Sequence, residues 1–260
     1  MGEAIPARRY APEELAALLA FEEFPRAAGY DPVWMLENLM GPNAVWLAEA
    51  LAQALDLRPG MRVLDMGCGR AISSIFLARE FGCQVWAADL WIKPAENWGR
   101  VRAAGLEDRV FPIHAEAHAL PFADEFFDAA VSLDAYHYFG TDDLYLGYYA
   151  RFVKPGGALG IVVPGVAREF TAGLPPHLAP YWHPEFWSFH SPDWWRRHWE
   201  RTGPVAVAAA DLIPRGWEHW LRWLEVAAAQ GYRSDPQEAA MVRLDAGRNL
   251  GFTRLVAQKR

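Results

Sequence analysis

The sequence is poor in cysteine and in basic residues, and each deficit excludes a class of protein. Its 260 residues include only two cysteines, Cys68 and Cys83, too few for a disulfide framework, so we expect a reducing compartment. Acidic residues outnumber basic ones by 32 to 25 and give a net charge of −7, which argues against a nucleic-acid partner. The only local basic cluster of note, residues 196–198, is predicted to be a solvated helix face.

Long apolar runs are also missing. None approaches the roughly 20 residues that a membrane-spanning helix needs. The N-terminal residues, which include Glu3, Arg8 and Arg9, lack the apolar core of a signal peptide. We therefore expect a soluble, cytoplasmic protein with no membrane partner.

The most informative segment is residues 61–70, MRVLDMGCGR, in which an apolar strand ends in Asp65 and continues into a Gly-x-Gly turn. Gly67 and Gly69 allow the backbone to bend sharply and to approach a ligand closely. A dinucleotide fingerprint also needs a small residue three positions after the second glycine, and this sequence has Ile72 there, which disfavours a pyrophosphate. The motif therefore predicts a site for a nucleoside without phosphates.

The following segments extend this pattern. A second apolar strand ends in Asp89, about 20 residues past the turn, where a carboxylate can accept hydrogen bonds from both ribose hydroxyls. The later signals are a candidate strand at 110–117 that contains Glu116, Leu-Pro-Phe at 120–122, a strand at 127–134, and a strand at 154–163 that begins with Lys-Pro-Gly-Gly.

Together these motifs resemble the class I S-adenosylmethionine-dependent methyltransferases, of the generic bacterial small-molecule type, over roughly residues 45–165. The resemblance implies that Gly67 and Gly69 pass under the methionine moiety and that Asp65 supports the loop or the amino group. It also implies that Asp89 holds the ribose and that Glu116, with the Ala117 amide, faces the adenine. The cofactor-binding residues that it predicts are Asp65, Gly67, Cys68, Gly69, Asp89, Leu90, Glu116, Ala117 and Leu133.

Helical and strand patterns alternate along the chain, which favours a parallel sheet covered on both faces. We predict an α/β fold: a Rossmann-like, doubly wound, mostly parallel seven-stranded sheet with a helical N-terminal segment and aromatic-rich C-terminal insertions. The predicted helices are 12–22, 42–55, 72–82, 94–104, 142–152, 216–231 and 235–249, and the last two strands are 205–213 and 252–258. We divide the chain into a lid segment (1–60), a cofactor-binding core (61–165) and a cap segment with the final strands of the same domain (166–260).

The methyl acceptor is expected at the carboxyl end of the fourth strand, because ligands of open α/β sheets bind outside the strand ends. Asp134, Tyr136, His137 and Tyr138 follow there. We predict His137 as a general base or orienting group, with Tyr136 or Tyr138 lining the pocket and Asp134 beside them. The alternative is that His137 packs against the following loop.

Two further patterns need an interpretation. His114 and His118 flank Glu116, but no other acid or cysteine completes a coordination shell, so no metal is expected. Residues 181–199 contain five tryptophans, which form either an aromatic cage for a cationic acceptor or a hydrophobic lid or dimer surface, with packing favoured.

The predicted function is methyl transfer from S-adenosylmethionine, with S-adenosylhomocysteine as its product, to a small-molecule nucleophile, nitrogen being slightly favoured. The alternatives are a non-catalytic protein that binds the cofactor, a cyclopropane-synthase-like enzyme, and, third, an NAD-dependent dehydrogenase, against which Ile72 counts. A homodimer is possible. The sequence does not identify the acceptor.

Overall fold

The computed structural model describes residues 10–260, in which one seven-stranded sheet carries helices on both faces. The first nine residues of the predicted lid segment, including Glu3, Arg8 and Arg9, lie outside the described residues. The strands are β1 (Arg62–Met66), β2 (Gln84–Asp89), β3 (Val110–His114), β4 (Phe127–Leu133), β5 (Val153–Val166), β6 (Val205–Leu212) and β7 (Leu250–Lys259). Their order is β3-β2-β1-β4-β5-β7-β6, with β7 antiparallel to both neighbours. The predicted fold class is confirmed.

Nine α-helices lie in the described part of the chain. They are α1 (Pro12–Leu19), α2 (Pro32–Glu37), α3 (Ala44–Ala52), α4 (Ile72–Phe81), α5 (Pro94–Ala103), α6 (Tyr145–Ala150), α7 (Pro192–Arg201), α8 (Gly216–Ala229) and α9 (Pro236–Asp245). Within residues 10–260, none of these helices is both long and apolar enough to cross a bilayer.

Helices α2 and α7 were missing from the predicted ranges. Each begins with a proline in its first turn, after a residue whose side chain caps the helix. The Asp31 carboxylate accepts a hydrogen bond from the Val33 amide, and the Ser191 hydroxyl accepts one from the Trp194 amide. Asp-Pro and Ser-Pro are helix-start signals, so both helices were detectable in the sequence.

The sheet separates two buried apolar clusters. Consecutive strand residues point to opposite faces, so Val63 belongs to the cluster beneath α3 and α4, and Leu64 belongs to the cluster that contains Trp195 and Trp199 of α7. All four side chains are essentially inaccessible to solvent. Burial on both faces explains why the central strands are almost continuously apolar.

Residues before β1 are fixed against the core by buried polar contacts. The Glu49 carboxylate on α3 accepts hydrogen bonds from the amides of Arg26 (3.0 Å) and Ala27 (2.7 Å). Farther along, the Trp223 indole of α8 donates to the Gly41 carbonyl at 2.9 Å. The contact with Trp223 holds the turn at residues 38–42 over the carboxyl ends of the strands.

Candidate active site

A cavity of about 270 Å³ opens at the carboxyl ends of β1, β2 and β4, beneath the turn at residues 38–42. We call it the main cavity. Ten of the predicted site residues line it: Gly67, Cys68, Gly69, Asp89, Leu90, Glu116, Ala117, Leu133, Asp134 and Tyr138. The structure thus brings together residues that are up to 71 positions apart in the sequence.

The glycine turn after β1 forms the floor of the main cavity. Gly67 has a φ of +73° and Gly69 a φ of +52°, both in the left-handed region. A Cβ on Gly67 would overlap the Ala135 side chain, and one on Gly69 would lie 2.8 Å from the Met40 sulfur. Only glycine therefore leaves the backbone of this turn accessible to a ligand.

Asp89, at the end of β2, fixes the shape of the loops around it. One carboxylate oxygen accepts the Gly69 amide at 2.8 Å, and the other accepts the amides of Trp91 and Ile92, each at 2.8 Å. The side chain is 6% exposed and lines the main cavity. The oxygen that binds Gly69 has a lone pair left, so the carboxylate can still accept a hydrogen bond from a ligand hydroxyl.

Asn97 on α5 is a supporting residue that the sequence interpretation missed. It is buried, and its side-chain amide donates to the Gly69 carbonyl at 2.9 Å. Its carbonyl oxygen accepts a hydrogen bond from Arg100, which also donates to Asn38 in the cavity wall. A lone buried asparagine gives no periodic or motif signal, so only the structure reveals this role.

Asp65 lies below the main cavity and does not line it. One carboxylate oxygen accepts hydrogen bonds from the Ser73 and Ser74 hydroxyls, each at 2.6 Å, and the other is buried without a partner. Burial raises the pKa of Asp65 to about 6. Through these serines, Asp65 connects the end of β1 to the first turn of α4, so its geometry suits loop support.

The predicted adenine side of the cavity differs in detail from the expectation. Strand β3 ends at His114, so Glu116 lies in the following turn and both its carboxylate oxygens bind His118. The side-chain hydrogen bond from His118 lowers the pKa of Glu116. Ala117 is buried beside it and lines the cavity, as does Trp91, which is 73% exposed.

Cys68 sits within the glycine turn and is buried. Burial, followed by the charges of Asp65 and Asp89, raises the pKa of its thiol well above the usual range. A thiol that stays protonated is a poor nucleophile. Cys68 therefore contributes shape and backbone to the cavity. Neither Cys68 nor Cys83 forms a disulfide.

The opposite end of the cavity is built around Asp134. It follows β4 with a φ of +53°, an uncommon conformation for a residue other than glycine. Its carboxylate packs against Gly41, where any Cβ would overlap it, and no side-chain hydrogen bond to it occurs in residues 10–260. Burial, reinforced by the charge of Glu238, raises the pKa of Asp134 well above the usual range. The rings of Tyr138 and Trp223 line the same end.

Tyr136 and His137 do not line the main cavity. Tyr136 is fully buried among aromatic residues, with its ring 5.5 Å from that of Trp199. His137 is 2% exposed, one of its ring nitrogens has no partner, and burial lowers its pKa to about 3. The alternative interpretation of His137 as a packing residue fits this environment, and Tyr138 is the tyrosine that reaches the cavity.

The predicted basic cluster and the histidines near Glu116 make contacts outside the main cavity. His198, expected on a solvated face, is buried, with a ring nitrogen 3.0 Å from the Gly140 carbonyl oxygen, while Arg197 is exposed. His114 contacts the Leu90 carbonyl oxygen. Among residues 10–260 there is no group of three or more histidine, cysteine or acidic residues that could hold a metal.

The residues of the main cavity fit the nucleoside portion of S-adenosylmethionine. The glycine turn gives a ligand access to backbone, and Asp89 offers a hydroxyl acceptor. Ile72, at the start of α4, fills the position that a dinucleotide site needs small.

Comparison with known proteins agrees with this geometry. Residues 63–157 match a family model described as a methyltransferase domain. Over this segment the chain is similar to S-adenosylmethionine-dependent methyltransferases. Methyltransferase GfsG of Streptomyces halstedii is 37% identical over 116 residues, which cover 44% of this chain and 42% of that protein. The chain spans less than half the length of this and other curated relatives.

Solved structures support the same fold assignment. Phosphoethanolamine N-methyltransferase 2 of Haemonchus contortus, in complex with S-adenosylmethionine, superimposes with a TM-score of 0.70 at 20% identity, covering 87% of this chain and 55% of that one. The [4+2]-cyclase SpnF superimposes with a TM-score of 0.65 at 21% identity, covering 85% and 83%. Since a cyclase shares the methyltransferase fold, the reaction must be argued from the site.

Proposed function

We propose that the protein binds S-adenosylmethionine in the main cavity and transfers its methyl group to a small-molecule acceptor, with a nitrogen nucleophile favoured. The observation that supports this most directly is that one cavity contains both Asp89, beside the glycine turn, and Asp134, beside two aromatic rings. A nucleoside and an acceptor bound at these two ends would be neighbours. Most of the catalytic effect would then come from alignment.

Bound S-adenosylmethionine supplies a methyl group on a positively charged sulfur. In the transfer to an amine, the new carbon–nitrogen bond forms as the carbon–sulfur bond breaks, and the acceptor nitrogen gives up a proton before or after the attack. Asp134 is the group that we propose as the proton acceptor, because its carboxylate lines the main cavity without a side-chain hydrogen bond within residues 10–260, and burial raises its pKa, which makes the carboxylate a stronger base. Tyr138 and Trp223 would enclose the acceptor.

Binding is tested by calorimetry with S-adenosylmethionine, S-adenosylhomocysteine and NAD. We expect the first two to bind and NAD to give no heat. Asp89→Ala should weaken cofactor binding by about 100-fold or more, since hydrogen bonds to a charged group contribute about 1.5–3 kcal/mol each. The surface variant Glu107→Ala is the matched control. Tight NAD binding without a response to S-adenosylmethionine would contradict the proposal.

Turnover is tested by screening an acceptor library for release of S-adenosylhomocysteine. Once an acceptor is found, kcat/KM is measured against pH for the wild type, Asp134→Asn and His137→Ala. We expect Asp134→Asn to remove the limb of the profile that reports the base and His137→Ala to leave it in place. Cofactor binding without turnover of any acceptor would favour the non-catalytic alternative. A limb lost only in His137→Ala would restore His137 as the base.

The proposal also covers the roles of the three segments of the chain and its location in the cell. We propose that residues 61–165 bind the cofactor, that the segment before them and residues 166–260 cover it, and that the protein works in the cytoplasm. Two unpaired cysteines support a reducing compartment. The acidic net charge supports a small-molecule partner over nucleic acid. A membrane partner is not proposed, and a homodimer stays possible.

A further inference from the structure

A second cavity, of about 140 Å³, lies beyond the carboxyl end of β5. Its chemical character comes from four aromatic rings and two titratable side chains: Phe170, Trp182, Trp187, Phe189, Glu169 and His190. None of these residues lines the main cavity. We call this second cavity the aromatic cage.

Three rings of the aromatic cage pack at steep angles against the fourth, Trp182. Phe170, Trp187 and Phe189 lie with their centroids 5.7, 5.7 and 6.2 Å from the Trp182 ring and with their planes inclined to it by 72°, 70° and 77°. Rings that stand nearly perpendicular to one another can present faces to a guest from several directions. Such faces attract cations through the negative charge above the ring.

Trp187 marks the opening of the aromatic cage. Its side chain is 58% exposed, whereas Phe189 is buried. A large exposed indole beside a cavity loses apolar contact with water when a guest enters. The aromatic cage is therefore open to solvent beside Trp187, and the exposed indole offers apolar surface that a guest could cover.

Charge in the aromatic cage comes from Glu169. Although burial opposes ionisation, the Ser191 amide and the His190 ring lower the pKa of Glu169 on balance. One carboxylate oxygen accepts the Ser191 amide at 2.7 Å, and the other lies 3.1 Å from the His190 ring nitrogen. Each oxygen keeps a lone pair. No lysine or arginine lines the cavity, so the aromatic cage combines ring faces with a negative charge.

We propose that the aromatic cage is a binding site for a small organic cation of the methylated ammonium class. The quaternary head group is small and weakly hydrated, so ring faces and one carboxylate suffice to bind it, whereas a neutral guest of equal size gains only apolar contact. This proposal concerns a site separate from the main cavity and does not depend on the proposed function.

The experiment compares choline with its neutral isostere 3,3-dimethyl-1-butanol by calorimetry on the full chain saturated with S-adenosylhomocysteine. Choline is expected to bind about tenfold more tightly than the isostere, because the ring faces and the Glu169 carboxylate attract its positive charge and offer the neutral isostere only apolar contact. Trp187→Ala and Glu169→Gln should each weaken choline binding by about fivefold or more. Because Trp187 is largely exposed, its replacement is expected to leave the thermal midpoint nearly unchanged.

Two control variants locate the binding. Trp98→Ala removes another exposed indole that lines neither cavity and should leave choline binding unchanged. Asp134→Asn alters the main cavity and should also leave it unchanged. Equal binding of choline and the neutral isostere, choline binding that only Asp134→Asn weakens, or absence of choline binding at millimolar concentrations would each overturn the proposal.

Discussion

Replacement of Asp65 by asparagine should remove a pH dependence of stability that burial creates. Burial raises the pKa of Asp65 from its ordinary value of 3.8 to about 6 in the folded protein. The folded state therefore keeps this proton at pH values where the unfolded chain has released it. The stability contribution of Asp65 must fall as pH rises from about 4 to about 6 and then stay constant.

The size of the effect follows from the pKa difference. Each tenfold change in proton affinity corresponds to about 1.4 kcal/mol, so the full effect is about 3 kcal/mol. Asparagine has nearly the same shape, keeps an oxygen that can accept the two serine hydroxyls, and does not ionise. At pH 4 the unfolded chain has already released part of this proton, so relative to wild type Asp65→Asn should be about 2–2.5 kcal/mol more stable at pH 7 than at pH 4.

The assay is urea unfolding of both proteins at pH 4, 5, 6 and 7, with the free-energy difference plotted against pH. All other groups titrate in both proteins and largely cancel in that difference. Asp56→Asn is the matched control: the Arg58 side chain holds the pKa of Asp56 below its usual range, so its titration lies below this pH range and its difference from wild type should be nearly flat from pH 4 to 7. A difference for Asp65→Asn that is flat across this range, or that falls with pH, would refute the reasoning.

Two other substitutions test the walls of the main cavity. Gly67→Ala should lower the free energy of unfolding by more than about 1–2 kcal/mol and abolish S-adenosylhomocysteine binding, because the residue has a positive φ and its Cβ would overlap Ala135. Gly99→Ala, in open space within α5, should instead stabilise the protein by about 0.5–1 kcal/mol in the same urea assay. Trp223→Phe removes the bond to the Gly41 carbonyl and should cost about 1–3 kcal/mol, with weaker S-adenosylhomocysteine binding by calorimetry. Unchanged unfolding in Gly67→Ala or Trp223→Phe would contradict these assignments.

The cofactor half of the site was predictable because its signals are local. A strand, a glycine turn and a helix occupy consecutive positions around Gly67 and Gly69, and Asp89 ends the neighbouring parallel strand, whose carboxyl end must lie at the same sheet edge. The helices and strands between residues 61 and 166 follow the predicted segments with small shifts at their ends. Supporting residues such as Asn97 could not be predicted, because Asn97 acts on the glycine turn through one long-range hydrogen bond, which leaves no pattern in the sequence.

The acceptor half was less predictable because it depends on side-chain directions in an irregular turn. Residues 136–138 form one 3-10 turn, in which successive side chains point about 120° apart. Tyr136 therefore enters the core and His137 becomes buried, while Tyr138 faces the main cavity. In a strand or an α-helix, the regular repeat of the element predicts which way each side chain points. The sequence contains no signal for where a short 3-10 turn begins, so these directions could not be predicted.

Asp134 shows how far such non-local dependence extends. Its carboxylate is confined by Gly41, whose carbonyl is held by Trp223 of α8, so three segments that are more than 80 positions apart determine its environment. A substitution of Trp223, which itself lines the main cavity, can therefore release the turn at residues 38–42 and hydrate this carboxylate more fully. Since burial is the main cause of the raised pKa of Asp134, hydration would lower that pKa toward its ordinary value and make the proposed base weaker. Helix α8 thus helps to set the chemistry of a site whose recognisable motifs all lie before residue 166.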